Sequence, residues 1–204
     1  MAGSSLLLAT SNPGKRIELL AFLPAGIEVL TLKDLNIELP PEDGESFGAI
    51  AKVKATVAAQ TSGLLAIADD SGLAVDALGG APGIRSARYA GEATDDARNR
   101  AKLLSAMREI PLGERTARFC CAVAVARPSG EVECRDGTCE GTIGFEEIGT
   151  NGFGYDSLFV LPSGLTMAQL PLEEKNQISH RADAYRKVAP ILTTWIDLGR
   201  GART

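Results

Sequence analysis

The sequence predicts an α/β fold, and three observations carry that reading. Short apolar runs bounded by turn residues, at residues 5–9 and 64–68, have the length and composition of buried strands. Between them, Phe47, Ile50, Ala51, Val53, Val57 and Ala58 recur at helical spacing. Later, two strand-like runs at 116–127 and 131–139 flank Pro128-Ser129-Gly130, the pattern of a β-hairpin. Strands and helices that alternate along the first third point to helices layered on a sheet.

Taken in order, residues 5–9 form a first strand. Thr10-Ser11-Asn12-Pro13-Gly14 is a turn cluster before a short amphipathic helix at 15–22, and 28–30 is a second strand. A polar loop at 38–45 leads to Ser46, the expected N-cap of the second helix. The strand at 64–68 runs into Asp69-Asp70-Ser71-Gly72, whose composition is that of a polar turn, and 73–78 reads as a further short strand. Gly79-Gly80-Ala81-Pro82-Gly83 is a loop. Thr94 is placed to cap a helix reaching about residue 108, with Asp95 and Asp96 in its first turn. Residues 141–148 are expected to extend the hairpin sheet. Tyr185, Val188, Ala189, Leu192, Trp195 and Ile196 mark a C-terminal helix from Ser179, with Pro190 as an expected kink.

With 204 residues, 45% of them hydrophobic, the chain has ample material for one domain, assigned to residues 1–204. A net charge of −5 without a basic block argues against a nucleic-acid surface. The N-terminus has no charged leader and only a short apolar run, so neither a signal peptide nor a membrane span is expected, and the cytoplasm is the expected compartment. Cys120, Cys121, Cys134 and Cys139 lack zinc-type spacing, and His180 is the only histidine.

Asp69 and Asp70 are the first place to look for chemistry. Neighbours on an extended backbone point to opposite faces, so one carboxylate can hold structure while the other faces a ligand. Two buried like charges need a cation, either a metal ion or a cluster of Lys and Arg. Thr10 to Lys15 joins a strand end to a helix N-terminus, a setting that suits an anion as well as plain capping, though no Walker A pattern occurs. Glu42, in the polar loop, could join Asp70 in holding Mg²⁺, which takes one or two carboxylates together with phosphate oxygens. Phe153-Gly154-Tyr155-Asp156, in a glycine-flanked loop, offers aromatic faces to a planar base or to a core. Lys175, His180 and Arg181 gather near a helix N-terminus, where cations run against the helix dipole, and that violation points to an anionic partner.

Five stretches occur in register: Ala9 through Lys15, Ala68-Asp69-Asp70-Ser71-Gly72-Leu73, Leu78-Gly79-Gly80-Ala81-Pro82-Gly83, Gly152-Phe153-Gly154-Tyr155-Asp156 and Glu174-Lys175-Asn176-Gln177-Ile178-Ser179-His180-Arg181. Together they resemble the inosine triphosphate pyrophosphatase family. The resemblance implies an elongated, strongly curved mixed β-sheet with flanking helices, in two lobes around a central cleft. It implies Mg²⁺-dependent hydrolysis of damaged-base purine triphosphates (ITP, dITP, XTP) to the monophosphate and pyrophosphate by a homodimer. By motif position, Thr10, Ser11, Asn12, Pro13, Gly14 and Lys15 bind the triphosphate, Asp70 is the base, and Glu42 and Asp70 are the metal ligands. Lys54 reaches a phosphate, while Ser71, Phe153, Gly154, Tyr155, Asp156, Lys175, His180 and Arg181 contact the nucleotide. Similar proteins carry Phe-x-Glu-Asn-Ala at the second helix, whereas this chain reads Phe47-Gly48-Ala49-Ile50-Ala51. That loss keeps a non-hydrolysing nucleotide-binding module in view, alongside a pyrophosphatase for pyrimidine or methylated triphosphates.

Overall fold

The structure is a computed structural model that describes residues 5–201. Its sheet has six strands in the order β2-β1-β3-β4-β5-β6. These are β1 (Ser5–Leu8), β2 (Glu28–Thr31), β3 (Leu65–Val75), β4 (Thr116–Ala126), β5 (Val132–Ile143) and β6 (Phe159–Val160). β1 pairs in parallel with both β2 and β3, and β5 pairs antiparallel with β6, so the sheet is mixed. The longer helices are α1 (Pro13–Leu20), α2 (Phe47–Ser62), α3 (Asp96–Ala106), α4 (Leu172–Ile178) and α5 (His180–Gly201). This is the α/β class expected from the alternation of strands and helices.

Where boundaries differ from the sequence reading, local chemistry explains the difference. α1 starts at Pro13 rather than residue 15, because Asn12 Oδ1 accepts from the Lys15 N–H at 3.1 Å and Pro13 supplies a helical φ at the first position. α2 begins as expected after Ser46, whose hydroxyl accepts from Ala49 N, and ends on Gly63 at φ 70°. Its Val53, read as part of the apolar face, is half exposed. Asp95 rather than Thr94 caps α3, accepting from Arg98 N at 3.0 Å. The strand expected at 141–148 is replaced by the end of β5, whose Thr142 and Ile143 pair with Val160 and Phe159. α4 was not expected, and α5 runs through Pro190.

The largest correction concerns Asp69-Asp70-Ser71-Gly72. It is no turn: β3 is a single strand of 11 residues that continues through both carboxylates to Val75. Of the strand predicted at 73–78, only residues 76–78 leave it, as a short 3₁₀ turn.

The chain divides into two compact units. The first comprises the chain up to Asp70, Cys121–Gly137 and the chain from Arg181 onward. In it, Leu6, Leu8 and Ile67 pack with Val188, Leu192 and Trp195 of α5. On the other cluster, Leu7, Ala66 and Ala68 pack with Ala51, Ala55 and Ala58 of α2. The alternation along β1 and β3 thus serves two cores, and small alanines let α2 lie close.

The second unit comprises Ser71–Cys120 and Thr138–His180, with a core that includes Leu73, Leu103, Phe119, Ile143, Tyr155 and Phe159. Arg115, 1% exposed, ties this unit together. Its guanidinium donates to the carbonyls of Ile143, Met107, Ile110 and Gly144 at 2.6–3.1 Å and lies over the Phe145 ring. These bonds satisfy carbonyls at the end of α3 and at the end of β5. Arg115→Met keeps the stem and removes every donor, leaving buried acceptors unpaired. A loss of about 3 kcal/mol is expected, read as a lower urea midpoint with unchanged slope.

Candidate active site

β3 places Asp69 and Asp70 side by side at the C-terminal edge of the first unit's share of the strand. Because successive residues face opposite ways, the two carboxylates meet different surroundings. Asp69 is fully buried. Its Oδ2 lies 3.3 Å from Lys15 Nζ and 3.1 Å from Arg181 Nε, and Arg181 Nη1 also bonds Glu18. Asp70 Oδ1 lies 3.6 Å from the same Lys15 ammonium. Lys54, buried on α2, donates to the Asp69 carbonyl at 2.9 Å and to Glu42 Oε1 at 2.8 Å.

These contacts drive the two acids apart. Burial works to raise Asp69, but Lys15 and Arg181, then Lys54, overcome it and hold the carboxyl well below the usual range. Asp70 goes the other way: burial outweighs Lys15 and Lys54, Glu42 and Asp69 add repulsion, and the group is pushed up to about 6. For Lys15, burial acts against the ammonium, yet Asp69 and Asp70 prevail and its pKa is raised. Adjacent carboxyls with opposed shifts separate a fixed anion, Asp69, from a group poised for proton transfer near neutral pH, Asp70.

The turn at residues 10–14 realises the capping alternative in part. Thr10 Oγ1 accepts from Asn12 N at 3.2 Å, and Asn12 Oδ1 is taken by the Lys15 N–H. Ser11 and Pro13 are exposed, while Gly14 and Lys15 are half-buried. Glu42 lies on an exposed loop that Gly44 brings close against Ile50, where an added Cβ would stand 2.5 Å from the isoleucine side chain. Ile50 therefore seats the loop that carries Glu42. Among the described residues no group of three or more His, Cys, Asp and Glu side chains is arranged for a metal. Glu42 and Asp70, which repel one another, are carboxylates of the kind that a hard cation takes together with phosphate oxygens.

The second unit holds the remaining candidates apart from Arg181. Lys175 and Asp156 form a buried ion pair, and Asp156 Oδ2 also accepts from Phe153 N at 2.9 Å. Gly152, at φ 74°, admits that carboxylate: a Cβ there would sit 2.0 Å from it. Phe153 is half-buried, with the Lys175 ammonium 5.1 Å from its ring centroid. Tyr155 belongs to the core, its hydroxyl donating to the Ser86 carbonyl at 2.8 Å. Gly154 N donates to Asp96 at 2.8 Å, and Ser71 is half-buried in β3. His180 stacks on Phe119 at 4.8 Å. Of the two aromatics in the loop, Phe153 is half-buried and Tyr155 fills the core.

Arg181 turns out to be a buried member of the Asp69 cluster, 1% exposed. The anionic partners that its place near a helix N-terminus called for are Asp69 and Glu18 of this chain. Glu18 escaped the sequence reading. Its one signal was a position three residues after Lys15, on the same face of α1.

Fold and site define an α/β protein whose mixed sheet carries paired carboxylates beside the half-buried Lys15 and the buried Lys54. A sequence profile described as the Ham1 family matches residues 6–191, and the chain belongs to that family. A dITP/XTP pyrophosphatase of Desulforamulus reducens is 49% identical over 190 residues, 92% of this chain and 94% of its own. One from Haemophilus influenzae is 51% identical over 183 residues, 88% of this chain and 94% of its own. Among solved structures, a HAM1 protein from Coxiella burnetii superposes with a TM-score of 0.84 at 37% identity, covering 94% of this chain and 99% of that one. A nucleoside-triphosphatase and dITP/XTP pyrophosphatase from Mycobacterium abscessus gives 0.73 at 44% identity, covering 92% and 98%.

The raised Asp70 has a cost in stability. The folded chain keeps that proton to about pH 6, while the unfolded chain releases it near 3.8, so folding weakens as pH rises through this window. Asp70→Asn removes the buried charge. In chelator-treated protein at pH 7 it is expected to raise stability by roughly 2 kcal/mol, several degrees of Tm. The gain should vanish below about pH 4, and thermal melts across pH 4–7 check this.

Proposed function

We propose that this chain hydrolyses damaged-base purine nucleoside triphosphates, ITP, dITP and XTP, to the monophosphate and pyrophosphate, clearing them from the nucleotide pool. The observation that carries the reading is the split pair on β3, a fixed anion at Asp69 and a raised carboxyl at Asp70, both beside Lys15. The names of the dITP/XTP pyrophosphatases at about half identity support the substrate class.

In this reading Asp70 accepts a proton from a water directed at the α-phosphorus, a role favoured by burial and by the Glu42 and Asp69 charges, which raise its affinity for a proton. Lys15 and Lys54 offset charge developing on the departing pyrophosphate. The turn from Thr10 through Ser11, Asn12, Pro13 and Gly14 to Lys15 holds the triphosphate at the start of α1. Glu42 and Asp70 would hold Mg²⁺, which neutralises phosphate oxygens when bound. The half-buried Phe153 ring is a face on which a purine can stack, beside the pair of Lys175 and Asp156. Donors at Lys175 and His180 suit the O6 of hypoxanthine or xanthine. Adenine presents an amino group there and would leave such donors unpaired, a penalty reaching about 10⁴-fold. We further infer a homodimer working in the cytoplasm. No helix among the described residues is long and apolar enough to cross a membrane.

Pyrophosphate release from ITP, dITP, XTP, GTP, dUTP and dTTP, with and without Mg²⁺, tests the reading. Release is expected from the first three, at least 100-fold above GTP, and is expected to be lost with chelator. Preference for dUTP or dTTP would overturn the substrate class, and ITP binding without release would favour a binding module. Asp70→Asn should lower kcat by at least 10³-fold, and near wild-type turnover would remove Asp70 from the chemistry.

A further inference from the structure

Four charged side chains of the first unit form an unbroken chain: Glu18 to Arg181, Arg181 to Asp69, Asp69 to Lys15. Lys15 then reaches Asp70 at 3.6 Å. Arg181, Asp69 and Glu18 are at most 3% exposed, so these charges are set in low dielectric, where position matters more than at a surface. Resting on the reaction proposed above, we propose that Glu18 and Arg181 are positioning residues of that reaction, acting through Asp69 to hold the Lys15 ammonium beside Asp70.

The geometry makes the roles distinct. Asp69 Oδ2 receives two cations, Arg181 Nε at 3.1 Å and Lys15 Nζ at 3.3 Å. Left with Asp69 as its carboxylate, Arg181 would compete with Lys15 for the same oxygen. Glu18 occupies another arm of the guanidinium, Nη1, and so balances its charge and fixes the fork. Lys15 and Glu18 lie on one face of α1, so a single short helix sets both ends of the chain of charges. The other lysine is held independently: Lys54 is anchored by the Asp69 carbonyl and by Glu42, and neither bond involves Arg181. Loss of Glu18 should therefore disturb Lys15 while leaving the Glu42 side intact. It should also act on the transition state, in which charge builds on the leaving pyrophosphate, more than on nucleotide binding.

Glu18→Gln keeps the shape and removes the charge. Arg181→Lys keeps the charge and removes the fork that bridges two carboxylates. The assay is steady-state hydrolysis of ITP with Mg²⁺, using protein shown to be folded by its melting transition. Each variant is expected to lower kcat at least fivefold with KM for ITP within twofold. The double variant should lose no more than the worse single one, because both act through one bond. Glu18→Asp, which restores the carboxylate, should recover part of the loss. If Glu18→Gln does not fold, Arg181→Lys decides by the same kcat and KM criteria.

A kcat loss below fivefold, a KM rise above fivefold in either variant, or multiplied losses in the double variant would overturn the proposal. Raised KM in Arg181→Lys would instead assign that residue to nucleotide contact. A wild-type chain that releases no pyrophosphate from any triphosphate overturns the reaction and this proposal together. An active wild type with Glu18→Gln unchanged overturns this proposal alone.

Discussion

Everything at the candidate site depends on keeping a carboxylate ionised in the middle of a buried strand. Asp69 has no exposed surface, and burial alone would neutralise it. Lys15 from α1 and Arg181 from α5 supply the opposing charge, and Glu18 supplies the balance for Arg181. Two helices are thereby tied to β3 by ions as well as by apolar contact. A buried ionic network gains little net stability over an apolar one of equal volume. The same network places the Lys15 ammonium 3.6 Å from the neighbouring Asp70.

Asp70 shares the strand and the nearby lysines but carries the opposite shift. The difference is geometric. Arg181 bonds the carboxylate on one face of β3, while the other face looks toward Glu42. One residue step along a strand thus separates a permanent anion from a group that can exchange a proton near neutral pH. The second unit shows the same economy, where the Asp156 carboxylate serves the Phe153 amide and Lys175 at once and needs Gly152 to fit.

Much of the fold was legible, and the errors share a cause. β1, α2 with its Ser46 cap and the hairpin strands followed from periodicity and turn residues. Asp69 through Gly72 has the composition of a turn, and local propensity has no knowledge of Arg181, 112 residues further on, which pairs the charge and lets the strand continue. The cation near the last helix's start was visible as an anomaly, but its partners Glu18 and Asp69 lie far away in sequence. Tyr155 and Phe153 look alike in their glycine-flanked loop, and only packing tells the core ring from the half-buried one. Residues that touch across long separations were the ones that spacing could not join.

The division of the chain into two units cuts β3, β4 and β5 partway along, at Asp70, Cys120 and Gly137, and the start of α5 at His180. Among the described residues, neither unit can be excised without severing strands. Such a chain is not modular: neither half can be exchanged, as a cassette, for that of a distant relative by recombination at one breakpoint.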